Sequence, residues 1–199
     1  MIRRRKGLRF NRRYRRGIEL STIQKRRLFI ISIIVAVMIA AGGVFSFGKK
    51  ITVTGSGMSP TMKEGETVLL NRLSYRLQAP KRGDIAVIAS EGADEDHYSI
   101  KRIVAVGGDT IKVENHYLYV NGKKYSDTGT SKIASTYIDN PGVIADKVKV
   151  PEGKYFILGD NPDASEDSRF SNIGMIEKKN IIGGVWFRIS PLSRMEIIN

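Results

Sequence analysis

The 199-residue chain contains no cysteine, two histidines and a single tryptophan. Without cysteine there are no disulfide staples, no thiolate zinc site and no thiol nucleophile. An extracytoplasmic location stays open, because oxidising compartments permit disulfides without requiring them. The histidines, His97 and His116, lack partners at metal-ligand spacing. Gly107-Gly108 lies between two predicted strands with no helix after it, which excludes a nucleotide-binding glycine loop. No metal or cofactor is expected. Internal repeats are absent, and after residue 50 no long amphipathic helical pattern occurs.

The net charge of +13 is local. Residues 1–27 hold twelve Lys and Arg against Glu19, Lys49 and Lys50 add two, and from residue 51 onward 19 basic residues meet 19 acidic ones. The basicity is a tail rather than a binding face, so no nucleic-acid partner is expected. Between tail and remainder runs Leu28 to Phe47, twenty residues without a charge. A helix of that length spans ~30 Å, the thickness of a bilayer's hydrocarbon core. The apolar core of a signal peptide is shorter, and a buried soluble helix would show a polar stripe. Residues 28–47 are therefore read as a single-pass transmembrane helix. The retention of Lys and Arg on the cytoplasmic side places residues 1–27 inside, against membrane lipid, and residues 48–199 outside.

Beyond Lys50 the chain is made of short runs rich in Val, Ile and Tyr, punctuated by Gly, Asn and Pro. Strands are predicted at 50–53, 67–71, 84–88, 99–106, 110–113, 116–120, 147–150, 155–158 and 181–188. Asn121-Gly122 after an alternating run is a hairpin signal. The expected fold is mainly β, an antiparallel domain following the N-terminal helix. A small inserted β lobe is expected at roughly 114–150, because the polar stretch 126–146 is too long for an ordinary connection.

Three polar segments beside strands stand out: Arg82-Gly-Asp84, Lys101-Arg102 with Gly107-Gly-Asp109, and Gly159-Asp-Asn161 with Ser165-x-Asp-Ser-Arg169. Singly, each reads as a turn or a solvated loop. Together with the apolar run and Met58-x-Pro-Thr61, in this order, they resemble the type I signal peptidases, in a single-span form similar to Gram-positive members. The resemblance covers nearly the whole chain and implies a membrane serine endopeptidase with a Ser-Lys dyad, a variant of the serine-nucleophile scheme. Its partners would be exported preproteins, bound as an added strand and bearing small residues before the cleavage site.

By that resemblance Lys101 is the general base, and its place among Ile and Val residues suits a lysine that must lose its proton near neutrality. Ser165 would orient the lysine amine, Asp167 and Arg169 would form an ion pair shaping the site, and Asp160 would join that network. Met58 and Pro60 fall in the substrate-binding loop. Pro162 stands where the family usually has a basic residue. The family's nucleophile is the serine just before the methionine, and here that position is Gly57, which has no side chain. On an extended segment Ser56 would point to the opposite face, and Ser59 would lie ~6.6 Å away. Two versions stay open: a cleaving enzyme that uses Ser56 in a shifted loop or carries Gly57 as an engineered or erroneous residue, or a non-cleaving homologue that binds precursors and assists their assembly. A self-cleaving repressor would need a DNA-binding module in place of the apolar run, and a receptor with a β ectodomain leaves the four boxes unexplained.

Overall fold

The computed structural model describes residues 21–89, 98–125 and 137–198, without the side chains of 41–47. The basic tail up to residue 20, and His97, lie outside the described residues. The chain divides into two units, Met1–Phe45 and Ser46–Asn199. The helix α1 (Thr22–Phe47) starts six residues before the predicted span because its cap lies at Ser21. Gln24 N–H donates to Ser21 Oγ at 3.3 Å and Ser21 N–H donates to Gln24 Oε1 at 3.0 Å, a reciprocal capping box. Large apolar side chains from Leu28 to Ile39 are exposed. Among the described residues no helix is long and apolar enough to cross a membrane; the side chains of 41–47, the end of the predicted span, lie outside that description.

The second unit is antiparallel β. Its strands are β1 (Gly48–Thr52), β2 (Thr67–Asn71), β3 (Ile85–Ala89), β4 (Tyr98–Val106), β5 (Thr110–Glu114), β6 (Tyr117–Val120), β7 (Lys123–Lys124), β8 (Val148–Lys149), β9 (Lys154–Leu158), β10 (Ile176–Glu177), β11 (Ile181–Ser190) and β12 (Glu196–Ile197). One sheet has the order β1-β2-β11-β3-β4-β9-β10 with β12 added to β11, and the other is β7-β6-β5-β8. A single helical turn, α2 (Ser74–Leu77), follows β2. Of the four described two-residue strands, β8 falls within the predicted run 147–150, whereas β7, β10 and β12 were not among the predicted strands, being too short to carry a period.

Strand β3 is apolar throughout and nearly all buried, as a central strand should be. Ile85 and Val87 join Val53, Met58, Met62 and Leu70, whereas Ala86 and Ile88 join Ile103, Ile157 and Ile181. The small sheet packs Ile111, Leu118 and Val120 with Ile138 and Ile144 against Val104 and Phe156 of the large one. Its first strand starts at Thr110, four residues before the predicted lobe, since the chain turns at Gly108-Asp109 directly out of β4. One register row crosses the large sheet: Gly48 opposite Asn71, Asn71 opposite Gly184, Gly184 opposite Ala86, and Ala86 opposite Lys101.

Asn121 and Gly122, at φ 53° and 75°, form the two-residue turn between β6 and β7. His116, predicted to open a strand, instead shares a turn with Asn115, at φ 66° and 49°, and its ring stacks on Tyr137 at 4.5 Å. The Arg82 and Asp109 boxes meet each other. Asp109 Oδ1 accepts from Arg82 Nη2 at 2.6 Å and Asn121 Nδ2 at 2.8 Å, while Oδ2 accepts from Val106 N–H at 2.9 Å. This carboxylate ties the lobe's hairpin to the large sheet.

Asp109→Ala strands those donors and should cost about 2 kcal/mol in urea unfolding at neutral pH. Burial raises the Asp109 pKa, but the Val106, Asn121 and Arg82 donors outweigh it and hold the carboxyl below 3.8. Its contribution is therefore complete above that value and lost as pH falls through the lower, folded one. The gap between the original protein and the variant should close in acid; a gap constant down to pH 2 would contradict this assignment.

Candidate active site

Lys101 sits in the middle of β4, opposite Ala86, whose short side chain leaves room beside it. On a pleated strand its neighbours on the same face are Ser99 and Ile103. Its Nζ donates to Ser165 Oγ at 2.8 Å, across 64 residues of sequence. Burial lowers the Lys101 pKa below 10.5; the Arg169 charge adds to this, and the Asp167 and Glu166 carboxylates oppose it. The amine opens on a cavity of about 400 Å³ lined by Ile88, Ser99, Ile157, Glu166 and Ile173 among others.

Ser165 belongs to the loop that follows β9, and buried ions hold that loop. Arg169 Nε donates to Asp167 Oδ1 at 2.8 Å, and its other nitrogens donate to the carbonyls of Asn140 at 3.1 Å, Pro162 at 2.6 Å and Ser165 at 3.2 Å. Asp167 Oδ2 also accepts from Gly159 N–H at 3.1 Å. Pro162 opens a 3-10 turn, Pro162–Ala164, that carries the chain into Ser165. Its fixed φ suits that first position. A Cβ at Gly159 would collide with Ser165 Oγ and Cβ and with Gly57 O, so only glycine lets the loops approach this closely.

Asp160 does not join the Asp167–Arg169 pair. It binds Arg102 in a two-pronged contact, Nε to Oδ1 at 2.8 Å and Nη2 to Oδ2 at 2.7 Å, with Arg102 Nη1 donating to Gly83 O at 2.8 Å. Both partners are buried. Sequence reasoning quoted Arg102 within its box but assigned it no role, since no local pattern marks a partner 58 residues away.

The segment carrying Gly57 is not extended, as the face argument assumed. Ser59 N–H donates to Ser56 O at 3.0 Å and Met62 N–H to Met58 O at 2.8 Å, so consecutive turns carry residues 56–62. Met58 is buried among Val53, Met62 and Val68 and seats the loop, while Pro60 is exposed. Arg188 Nη2, donating to Thr61 O at 2.6 Å, fixes the loop's far end. Asn161, another residue without a predicted role, joins the two loops: its N–H donates to Gly57 O at 3.0 Å and its Nδ2 to Ser56 O at 3.3 Å.

Gly57 thereby lies against Ser165. A Cβ there would sit 3.5 Å from Ser165 Cβ and 3.1 Å from Ala164 O, and its φ is outside the left-handed region. Ser56 is exposed. Among the described residues, Ser165 is the hydroxyl that Lys101 touches.

The profile of the family described as signal peptidase, peptidase S26, matches residues 26–190. The chain belongs to this family. Signal peptidase I of Bacillus licheniformis is 34% identical over 187 residues, which cover 89% of this chain and 96% of its own length. Signal peptidase IB of Staphylococcus aureus is also 34% identical over 187 residues, covering 84% and 91%. A solved signal peptidase I from Enterococcus faecalis aligns at 26% identity over 54% of this chain and 97% of its own, with a TM-score of 0.40. Membership places the chain among proteases of the signal peptidase I type.

Two measurements bear on this geometry. Side-chain nitrogen NMR should find Lys101 titrating below 10.5, and Asp167→Asn should lower it further by removing an opposing carboxylate; a value at or above 10.5 would contradict its burial. Asp160→Ala leaves Arg102 buried without its partner and should cost about 3–5 kcal/mol in chemical unfolding.

Proposed function

We propose that this chain binds exported preproteins at the outer face of the membrane and does not cleave them as written. One observation carries the reading: a Cβ at Gly57 would lie 3.5 Å from the Cβ of Ser165, whose hydroxyl accepts from Lys101, and glycine places no nucleophile there. In this reading the dyad lacks one side chain. In this reading residues 1–27 are a cytoplasmic tail, 28–47 anchor the chain, 48–199 form the outer domain and 114–150 its inserted lobe. The exposed apolar side chains from Leu28 to Ile39 on one continuous helix support the anchor. Membrane lipid is then a partner alongside the precursors.

Lys101 would serve as base, Ser165 would orient it, and the Asp167–Arg169 and Arg102–Asp160 pairs would keep the loop rigid. Met58 and Pro60 would shape the loop beside the bound peptide. A precursor would lie as an added strand with small side chains before the scissile bond. In Gly57→Ser the new hydroxyl would lose its proton to neutral Lys101 as it attacks the carbonyl. The proton would then pass to the leaving amine, and water would release the acyl group. The competing version, cleavage through Ser56, needs the turn at 56–59 to rearrange.

The test compares the full chain, Gly57→Ser, and Gly57→Ser with Lys101→Ala on a precursor with an Ala-x-Ala site, following products by mass. Gly57→Ser should cleave at least about 1,000-fold faster than the unaltered chain, and adding Lys101→Ala should abolish the gain. Because only neutral lysine accepts the proton, the rate should rise with pH through the Lys101 pKa, below 10.5. Cleavage by the unaltered chain that Ser56→Ala abolishes would overturn the non-cleaving reading in favour of a moved nucleophile.

A further inference from the structure

Away from Lys101, a cavity of about 510 Å³ opens between the end of β2 and the start of β11. Arg72 and Arg76 line one side, Lys178 and Lys179 the other, and Tyr75 forms a wall. Tyr75 is fixed by its own hydrogen bond, its hydroxyl donating to Asp84 Oδ2 at 3.0 Å. Lys179 is paired with Glu177 at 3.0 Å. Among the described residues no carboxylate forms an ion pair with Arg72, Arg76 or Lys178. Three cations without a carboxylate partner among the described residues, in one concave site, favour an anion with several oxygens, and two arginines favour phosphate geometry in particular.

The sheet register shows where the cavity lies along the chain. Gly48, the first residue after α1, is paired with Asn71, and Arg72 follows at once. The Arg72 Cα therefore lies about 6 Å from that of Gly48, one strand spacing and one rise away. The polar headgroup layer of a bilayer is about 5–7 Å thick on each side. If residues 28–47 occupy the hydrocarbon core, the chain leaves it at Gly48, and the Arg72 side chain is long enough to reach the headgroup layer. Leu73 and Leu77, 37% and 76% exposed, flank the same arginines and suit the boundary between headgroup and acyl chain.

We propose that this groove binds the phosphodiester headgroup of an anionic phospholipid and so pins the sheet to the membrane surface. The proposal rests on the anchor put forward under Proposed function. Lys101 lies in the same register row as Gly48, four strands away, about 19 Å across the sheet.

The test places the full chain in nanodiscs of phosphatidylcholine with or without phosphatidylglycerol and follows hydrogen exchange by mass spectrometry. Peptides covering 72–78 and 178–182 should exchange more slowly with phosphatidylglycerol, on the order of ten-fold, while Lys123–Lys124 should not change. Arg72→Glu/Arg76→Glu/Lys178→Glu should abolish the slowing. The milder Arg72→Gln/Arg76→Gln/Lys178→Gln should reduce it, and unchanged exchange in β3 and β4 would show that both variants are folded. No slowing, or slowing that survives charge reversal, overturns the proposal. Equal slowing by inorganic phosphate in phosphatidylcholine discs would overturn the lipid as occupant in favour of a free anion. Failure of the chain to enter either disc would overturn the anchor and the placement of the groove with it. Cleavage by Gly57→Ser in the neutral discs reports separately on the function proposed above.

Discussion

The buried pair between Arg102 and Asp160 is the contact on which the rest of the site depends. Arg102 has no solvent to neutralise it, so its charge is tolerable only while both carboxylate oxygens and Gly83 O are in place. That requirement fixes the start of the loop after β9 relative to β4. Because side chains alternate along a strand, the residue before Arg102 points to the other face. Lys101 therefore meets the same loop from its opposite side, at Ser165. One strand thus aims two adjacent cations at one loop, Arg102 at Asp160 and Lys101 at Ser165.

The electrostatics of Lys101 follow from that arrangement. Its surroundings on β3, β4 and β9 are apolar, which disfavours the ammonium, but Asp167 and Glu166 pull the other way. Arg169 moderates the pull of Asp167 by occupying its oxygens. Glu166 still favours the ammonium, and burial, the largest influence, decides the direction of the shift. A loop holding Asp167 without Arg169 would raise the Lys101 pKa, because the Arg169 charge is one of the two influences that lower it.

Much of this was legible in the sequence. Runs of alternating or continuous Val, Ile and Leu marked nine strands to within a few residues, because burial imposes the period that sequence reading detects. Asn121-Gly122 marked its turn, since few residue pairs adopt two positive φ angles. What could not be read was set by non-local geometry. The partner of Asp160 is 58 residues away and Asn161 reaches back 105 residues to Ser56, and neither leaves a local trace. The conformation around Gly57 was misjudged for a related reason. Its turns are held by Met58 in the core and Arg188 on β11, so a rule for extended strands did not apply.

The same distinction separates the positions around Lys101 that folding itself holds from the one that it leaves free. Removing Asp160, Asp167 or Arg169 strands a buried charge, and enlarging Gly159 drives two loops apart, so each of these positions is held by folding itself. Lys101 and Ser165 satisfy each other, and losing either leaves the other unpaired in a partly buried setting. The side chain missing at Gly57 is different. The backbone there already makes its contacts, Gly57 O with Asn161 N–H, and among the described residues the buried side-chain atoms without a hydrogen bond lie on Thr61, Glu66 and Arg188. A Cβ at this position would come within 3.1 Å of Ala164 O, so any larger residue needs that carbonyl to give slightly. The loops around Lys101 are thus held together by folding contacts that do not involve a side chain at position 57.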